Sequence, residues 1–236
     1  MNHTSLINAL KSAGDAQLMA HHAKFFQTHK GGYGEGDKFI GLTVPATREI
    51  AKPYINLPHN SIAKLLQNDW HEVRFAALVI IIARMNEEPD AMRTLYAENV
   101  DYINNWDLVD LSADKVLGRY YRETNGQKGC YRGLLNDYAN SGMLWRERIS
   151  VVATFYQLNK YGETDLTVKR AEHFLTHKHD LMHKATGWAM REVGKKDRQS
   201  LITFLNKYAT VMPRTMLRYS IEHLPPEQRK HYMGMK

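Results

Sequence analysis

The chain has 236 residues, 43% of them hydrophobic and 24% charged, enough for one large domain or two small ones with a buried core. Its single cysteine, Cys130, excludes a disulfide framework and a cysteine-based zinc site, and its longest apolar run, Ala76–Ala83, is far too short to cross a bilayer. The net charge of +7 and pI near 9.3 favour a polyanionic partner without specifying one.

Met1–Asp15 shows no basic segment followed by an apolar core and a small-residue cleavage site, so the expected compartment is a reduced cytoplasm. Period-two alternation is not sustained anywhere, whereas helix punctuation recurs along the whole chain. Leu6–Ala13 and Ala16–Thr28 read as short amphipathic helices. Between them and the rest lies Lys30–Lys38, Lys-Gly-Gly-Tyr-Gly-Glu-Gly-Asp-Lys, a glycine-dense loop. It carries no Gly-Lys-Ser/Thr and follows no strand, so it reads as a flexible connection and not as a phosphate loop.

From Val44 onward the pattern is helix pairs. Ala46–Ile55 and Ser61–Leu66 lead into Trp70–Met85, and Ala91–Glu98 leads into Trp106–Tyr121. Tyr131–Asn140 precedes Leu144–Tyr161, Leu166–Leu175 precedes Leu181–Gly194, and Arg198–Tyr208 precedes Pro213–His223. Pro45, Pro58 and Pro213 sit where a first helical turn tolerates proline; Pro53, Pro89 and Pro225–Pro226 read as stops or restarts.

Aligning the second helices gives a register of Arg74, Asp110, Arg148, Lys184 and Arg218, separated by 36, 38, 36 and 34 residues. A polar residue followed by a small, apolar run at this period is the signature of stacked two-helix repeats. The expected fold is therefore all-α, a single domain over residues 1–236. Residues 1–38 hold the first helices and the loop, and residues 44–236 the stacked pairs. The aligned positions should form one concave row, basic except at Asp110.

Helical spacing sets further residues beside that row. Trp106 lies four before Asp110 and Trp188 four after Lys184; Trp70 and Trp145 also fall within a turn of it but read mostly as core. For Asp110 the plain reading is an ion pair with Arg148 or Lys184. The sharper one is an ionised carboxylate in a groove for an anionic polymer, useful where the ligand brings a positive charge such as a cationic base or an oxocarbenium-like centre. Asp107, off that face, reads as an end-cap or solvent residue. His177, His179 and His183 lack the glutamate of a zinc-protease motif and read as surface histidines; Ser112 sits in no nucleophile elbow. No metal ligand set is expected.

At these residues the chain resembles the bacterial DNA alkylation repair glycosylases built from HEAT-like repeats, the AlkD family. Phe39–Arg48 is similar to its aromatic-x-Gly-apolar-x-x-Pro-x-x-Arg segment, and Trp106-Asp107-Leu108-Val109-Asp110 to its Trp-Asp-x-Val-Asp motif. Leu144–Arg148 and Lys184–Glu192 are similar to its later repeat signatures. The resemblance covers most of the chain. It implies a right-handed α-solenoid with a concave basic groove that binds duplex DNA and releases cationic N3- and N7-alkylated purines without metal or cofactor. Asp110 would be the catalytic carboxylate, Trp106 and Trp188 the aromatic residues that hold the lesion against it, and Arg148 the arginine near the lesion phosphate. The aligned row, read from the repeat spacing, would add Lys184, Arg74 and Arg218 as DNA contacts. The resemblance also implies a monomer, cytoplasmic and nucleoid-associated. The sequence departs from the pattern at Asn105, where the best-known branch carries a second tryptophan, at Phe25 in place of a tyrosine, and in the Lys30–Lys38 insertion. Two alternatives stand beside this reading: a non-catalytic family member that binds DNA structures, and a HEAT-repeat scaffold for an acidic protein partner.

Overall fold

The computed structural model describes residues 1–124 and 130–235. Among them the secondary structure is helical, without strands and with one isolated bridge between Lys38 and Trp70. The chain divides into two compact units, Met1–Ser112 and Ala113–Lys236.

The first unit begins with α1 (His3–Ser12) and α2 (Ala16–Phe25), each opened by a side chain that satisfies a first-turn N–H. Asn2 accepts from Ser5 at 2.8 Å and Asp15 from Leu18 at 2.7 Å. After the glycine-rich loop come α3 (Val44–Ala51), α4 (His59–Leu66), α5 (His71–Arg84), α6 (Pro89–Glu98) and α7 (Trp106–Ser112). The centre is α5, where every residue from His71 to Leu78 is buried. A helix buried on nearly all sides needs partners on all sides, and α5 packs against α1, α3, α4, α6 and α7.

Its one buried acid of the first turn, Glu72, accepts from the backbone N–H groups of Ile40, Gly41 and Leu42 at 2.8, 2.9 and 3.2 Å. That bond set ties the segment after the loop to α5. Gly41 adopts φ +89°, and a Cβ there would lie 2.0 Å from the Asp15 carbonyl oxygen, so both conformation and space demand glycine.

The second unit continues the same strand of chain through a π-helical turn at Asp114–Gly118 into α8 (Arg119–Glu123). The single helix expected over Trp106–Tyr121 is thus widened at its middle, with the Gly118 N–H reaching back five residues to Ala113 at 2.9 Å. Next are α9 (Cys130–Ala139), α10 (Leu144–Val152) and α11 (Phe155–Tyr161). The helix expected over Leu144–Tyr161 is broken at Thr154. The Thr154 hydroxyl donates to the Val151 carbonyl at 2.7 Å and accepts from the Thr167 hydroxyl at 2.9 Å, a side-chain bond that competes with the helical ladder.

The unit ends with α12 (Asp165–His173), α13 (Asp180–Lys196), α14 (Arg198–Tyr208), α15 (Arg214–Ser220) and α16 (Pro226–Gly234). Here α13 is central and touches α10, α11, α12, α14 and α15. Gly187 permits its closest approach, since a Cβ there would meet the Met216 carbonyl and the Tyr219 side chain at 2.6 Å. Of the five helix pairs expected from the sequence, α4–α5, α9–α10 and α12–α13 pack closely, whereas α6–α7 and α14–α15 do not: α6 packs on α5, and α15 on α13. Among the described residues no helix is long and apolar enough to cross a membrane.

Candidate active site

The first turn of α7 carries the acidic motif, and the chain holds that turn from below. Asn105 is fully buried; its side-chain oxygen accepts from the Trp106 N–H at 2.9 Å and its carbonyl from Val109 at 3.1 Å. Its amide donates to Asp37 of the glycine-rich loop at 3.2 Å. Asp37 also receives His71 Nδ1 at 3.0 Å and pairs with the Arg74 guanidinium, whose other amino group donates to the carbonyls of Asn68 and Asp69 at 2.8 and 3.1 Å.

The far ring nitrogen of His71, Nε2, meets Asp107 at 2.8 Å. A ring with a carboxylate at each nitrogen is held as the imidazolium. Burial pushes His71 down, but the charges and hydrogen bonds of Asp107 and Asp37 overcome it and hold its pKa at about 9. Burial likewise pushes Asp37 up, yet His71 and Arg74 bring it below its ordinary value. Two anions and two cations therefore alternate in a closed interior set. Asp107 is not the solvent residue expected: one of its oxygens accepts from the first-turn Leu108 N–H at 2.9 Å, as an end-cap would, but the other binds His71.

Above this base lies an aromatic cluster. Phe26 stacks on Trp106 at 5.4 Å and on Phe39 at 4.9 Å, and Phe39 stacks on the His71 ring at 4.5 Å. Phe25, 54% exposed, meets Trp106 edge-on at 6.0 Å. The Trp106 indole N–H donates to the Tyr33 hydroxyl at 3.3 Å, and that hydroxyl donates to the Phe25 carbonyl at 3.0 Å. The loop expected to be a flexible connection is thus fastened at Tyr33 and Asp37, and it fixes the tryptophan of the motif. Sequence reasoning overlooked Asp37, His71, Asn105 and Tyr33. One signal was available: His71 and Arg74 lie three apart on one helix face, where a single carboxylate can reach both.

Asp110, one turn beyond Trp106, is half-buried and lines a cleft of about 440 Å³ with Phe25, Phe26, Phe75, Trp106 and Asp107. Arg48, the last residue of the Phe39–Arg48 segment, lines the same cleft. The arrangement presents two carboxylates, Asp110 and the His71-bound Asp107, among aromatic faces, a combination chemically suited to a flat cation.

The remaining expected site residues fall into different surroundings. Arg74 does not stand on an exposed basic row: it is 4% exposed because Asp37 supplies its counter-charge inside the unit. Arg148 is also 4% exposed and donates to the Leu181 carbonyl at 2.6 Å. Lys184 and Arg218 do come together, lining a second-unit cleft with Asp180, to which Lys184 pairs at 2.8 Å. Trp188 is half-buried on the same unit and meets Phe155 edge-on at 4.5 Å. Trp70 and Trp145 are half-buried, and Lys11 lies 5.0 Å over the Trp70 ring.

The three histidines have local tasks. His179 caps α13 by accepting from Leu181 N–H at 3.1 Å, and His177 lies 3.0 Å from Glu147. His183 contacts the His177 carbonyl. Among the described residues no group of three or more His, Cys, Asp or Glu is placed to hold a metal.

An all-helical protein with a carboxylate–aromatic cleft has a fold known from solved structures. It is similar to a chain described as a predicted DNA alkylation repair enzyme from Enterococcus faecalis, with a TM-score of 0.69 and 16% identity, covering 90% of this chain and 97% of that one. The family model described as DNA alkylation repair enzyme matches residues 6–224, and the chain belongs to that family. Comparison with curated proteins gave no match.

Proposed function

We propose that the protein is a DNA glycosylase that hydrolyses the N-glycosidic bond of cationic alkylated purines, 3-methyladenine and 7-methylguanine, in duplex DNA. The observation that carries this reading is the cleft of the first unit, where Asp110 stands one helical turn from Trp106 among Phe25, Phe26 and Phe75. Alkylation at N3 or N7 puts a positive charge on the base, and the charge passes to the sugar as the glycosidic bond breaks. An ionised Asp110 stabilises that developing charge and orients the attacking water, which is differential binding of the transition state. The departing base is already activated by its charge, so the reading assigns no general acid, metal or cofactor. Trp106 offers its face to the cationic base, an attraction of ~0.5–2 kcal/mol. Asp107 is excluded from the role because His71 already holds it.

In the second unit, the likeness of Lys184–Glu192 to the family signature supports Trp188 as a further aromatic contact. Lys184 and Arg218 are the proposed phosphate contacts, and Arg148, buried on the carbonyl of Leu181, is proposed to contribute its charge to the same second-unit surface. The test is Asp110→Asn. It is expected to fold, to bind duplex with near wild-type affinity and to lose base excision. Excision equal to wild type contradicts the assignment, and loss of both binding and folding is checked by circular dichroism on the same sample.

A further inference from the structure

A cleft of about 610 Å³ in the second unit shares no residue with the cleft of Asp110. Its walls include Arg170 and Lys169 from α12, Gln157 from α11 and Asn136 from α9, and the turn at Gly162–Thr164 leads into α12 beside them. Arg170 is only 7% exposed. One amino group donates to the Asn136 side-chain oxygen at 2.6 Å, and its Nε has no partner among the described residues.

No described carboxylate pairs with this guanidinium, and burial pushes its pKa below the ordinary value, with only the phenol of Tyr121 acting the other way. Residues 125–132, Asn-Gly-Gln-Lys-Gly-Cys-Tyr-Arg, contain no acid in the sequence. The two acids beside the cleft are exposed, and Glu163 is already bound by Arg122 at 2.8 Å. Buried ions are ordinarily paired, because a charge removed from water without a counter-charge is strongly unfavourable. Among the described residues nothing supplies the counter-charge of Arg170.

The rest of the cleft suits an anion. The first turn of α12 has no side-chain cap, since Thr164 makes no such bond, and its residues Asp165 and Leu166 line the cleft at the positive end of the helix dipole. Gln157 is 2% exposed, and its side-chain oxygen also lacks a partner, leaving an amide able to turn toward a ligand. Lys169 adds an exposed cation.

We infer that this cleft binds a phosphate-type oxyanion, with Arg170 as the buried counter-charge, the open first turn of α12 as donor and Lys169 beside it. Room beyond a bare phosphate leaves space for an organic group. A free phosphate compound and a nucleic-acid backbone share this chemistry, and the site does not depend on the glycosylase reading.

The experiment is thermal unfolding of the full chain in inorganic phosphate against chloride at matched ionic strength. Wild type should gain about 5–10 °C at a hundredfold excess of phosphate over Kd, relative to chloride. Arg170→Met should lose the gain. Asn136→Asp, which sets a carboxylate directly on the guanidinium, should raise Tm without phosphate and also lose the gain; it decides the matter should Arg170→Met fail to fold. A wild-type gain no larger in phosphate than in chloride overturns the proposal, as does the full gain persisting in Asn136→Asp. Displacement of phosphate by a mononucleotide but not by duplex assigns a small-molecule source; weakened duplex binding in Asn136→Asp assigns the backbone.

Discussion

Arg74 in the first unit and Arg170 in the second are both buried arginines, yet the chain treats their charges in opposite ways. Around Arg74 a buried carboxylate, Asp37, is placed to meet it, and His71 and Asp107 complete an alternating set of ions. Around Arg170 there is an amide oxygen and an open cleft. The first arrangement spends its charges on geometry: it locks the glycine-rich loop, the start of α7 and the tryptophan of the motif into one piece. The second leaves a charge unanswered for something that arrives.

The widest separation between the two regions should be in stability. Asp37→Ala strands the buried Arg74 and removes one of the two carboxylates on His71, and is expected to cost about 3–5 kcal/mol in urea unfolding, whereas Arg170→Met in phosphate-free buffer removes an uncompensated cation and should fall within about 1 kcal/mol of wild type. Equal losses would erase the distinction drawn between the two arginines.

Next comes pH. The His71 pKa is raised above its unfolded value, so its contribution is fully present below about pH 6.5 and is lost as pH rises through about 9. The loss should be on the order of 3 kcal/mol for wild type and absent in His71→Gln. A wild-type stability profile flat from pH 6 to pH 10 would contradict the imidazolium assignment.

For DNA binding, Lys184→Ala and Arg218→Ala should each flatten the dependence of log affinity on log salt by about 0.9, the slope carried by one phosphate contact. An unchanged slope removes that residue from the interface. The smallest effect is reserved for Tyr33→Phe, which deletes one hydrogen bond to the Trp106 indole. It should cost about 1 kcal/mol or less and shift the Trp106 indole N–H resonance upfield, and an unmoved resonance would show that the loop does not hold the ring.

The helical class, most helix positions and the Trp106–Asp110 juxtaposition were legible in the sequence because they rest on local rules: proline placement, helical periodicity and i,i+4 spacing. The surroundings of the basic row were not. Arg74 and Lys184 occupy equivalent register positions, but Arg74 is buried against Asp37, 37 residues away in sequence, whereas Lys184 pairs with Asp180 one turn before it on its own helix. Composition gave the wrong sense of the Lys30–Lys38 loop: its glycines suggest freedom, while Tyr33 and Asp37 bind it down. The break at Thr154 escaped notice because a threonine bonding back to its own helix looks no different in sequence from one facing solvent.

The most direct measurement is base release by the wild-type protein. N-methylated duplex DNA is incubated with the enzyme in EDTA, and free 7-methylguanine and 3-methyladenine are quantified by mass spectrometry. The account predicts release of both that persists in EDTA and disappears in Asp110→Asn. Duplex binding without release of either base would contradict it.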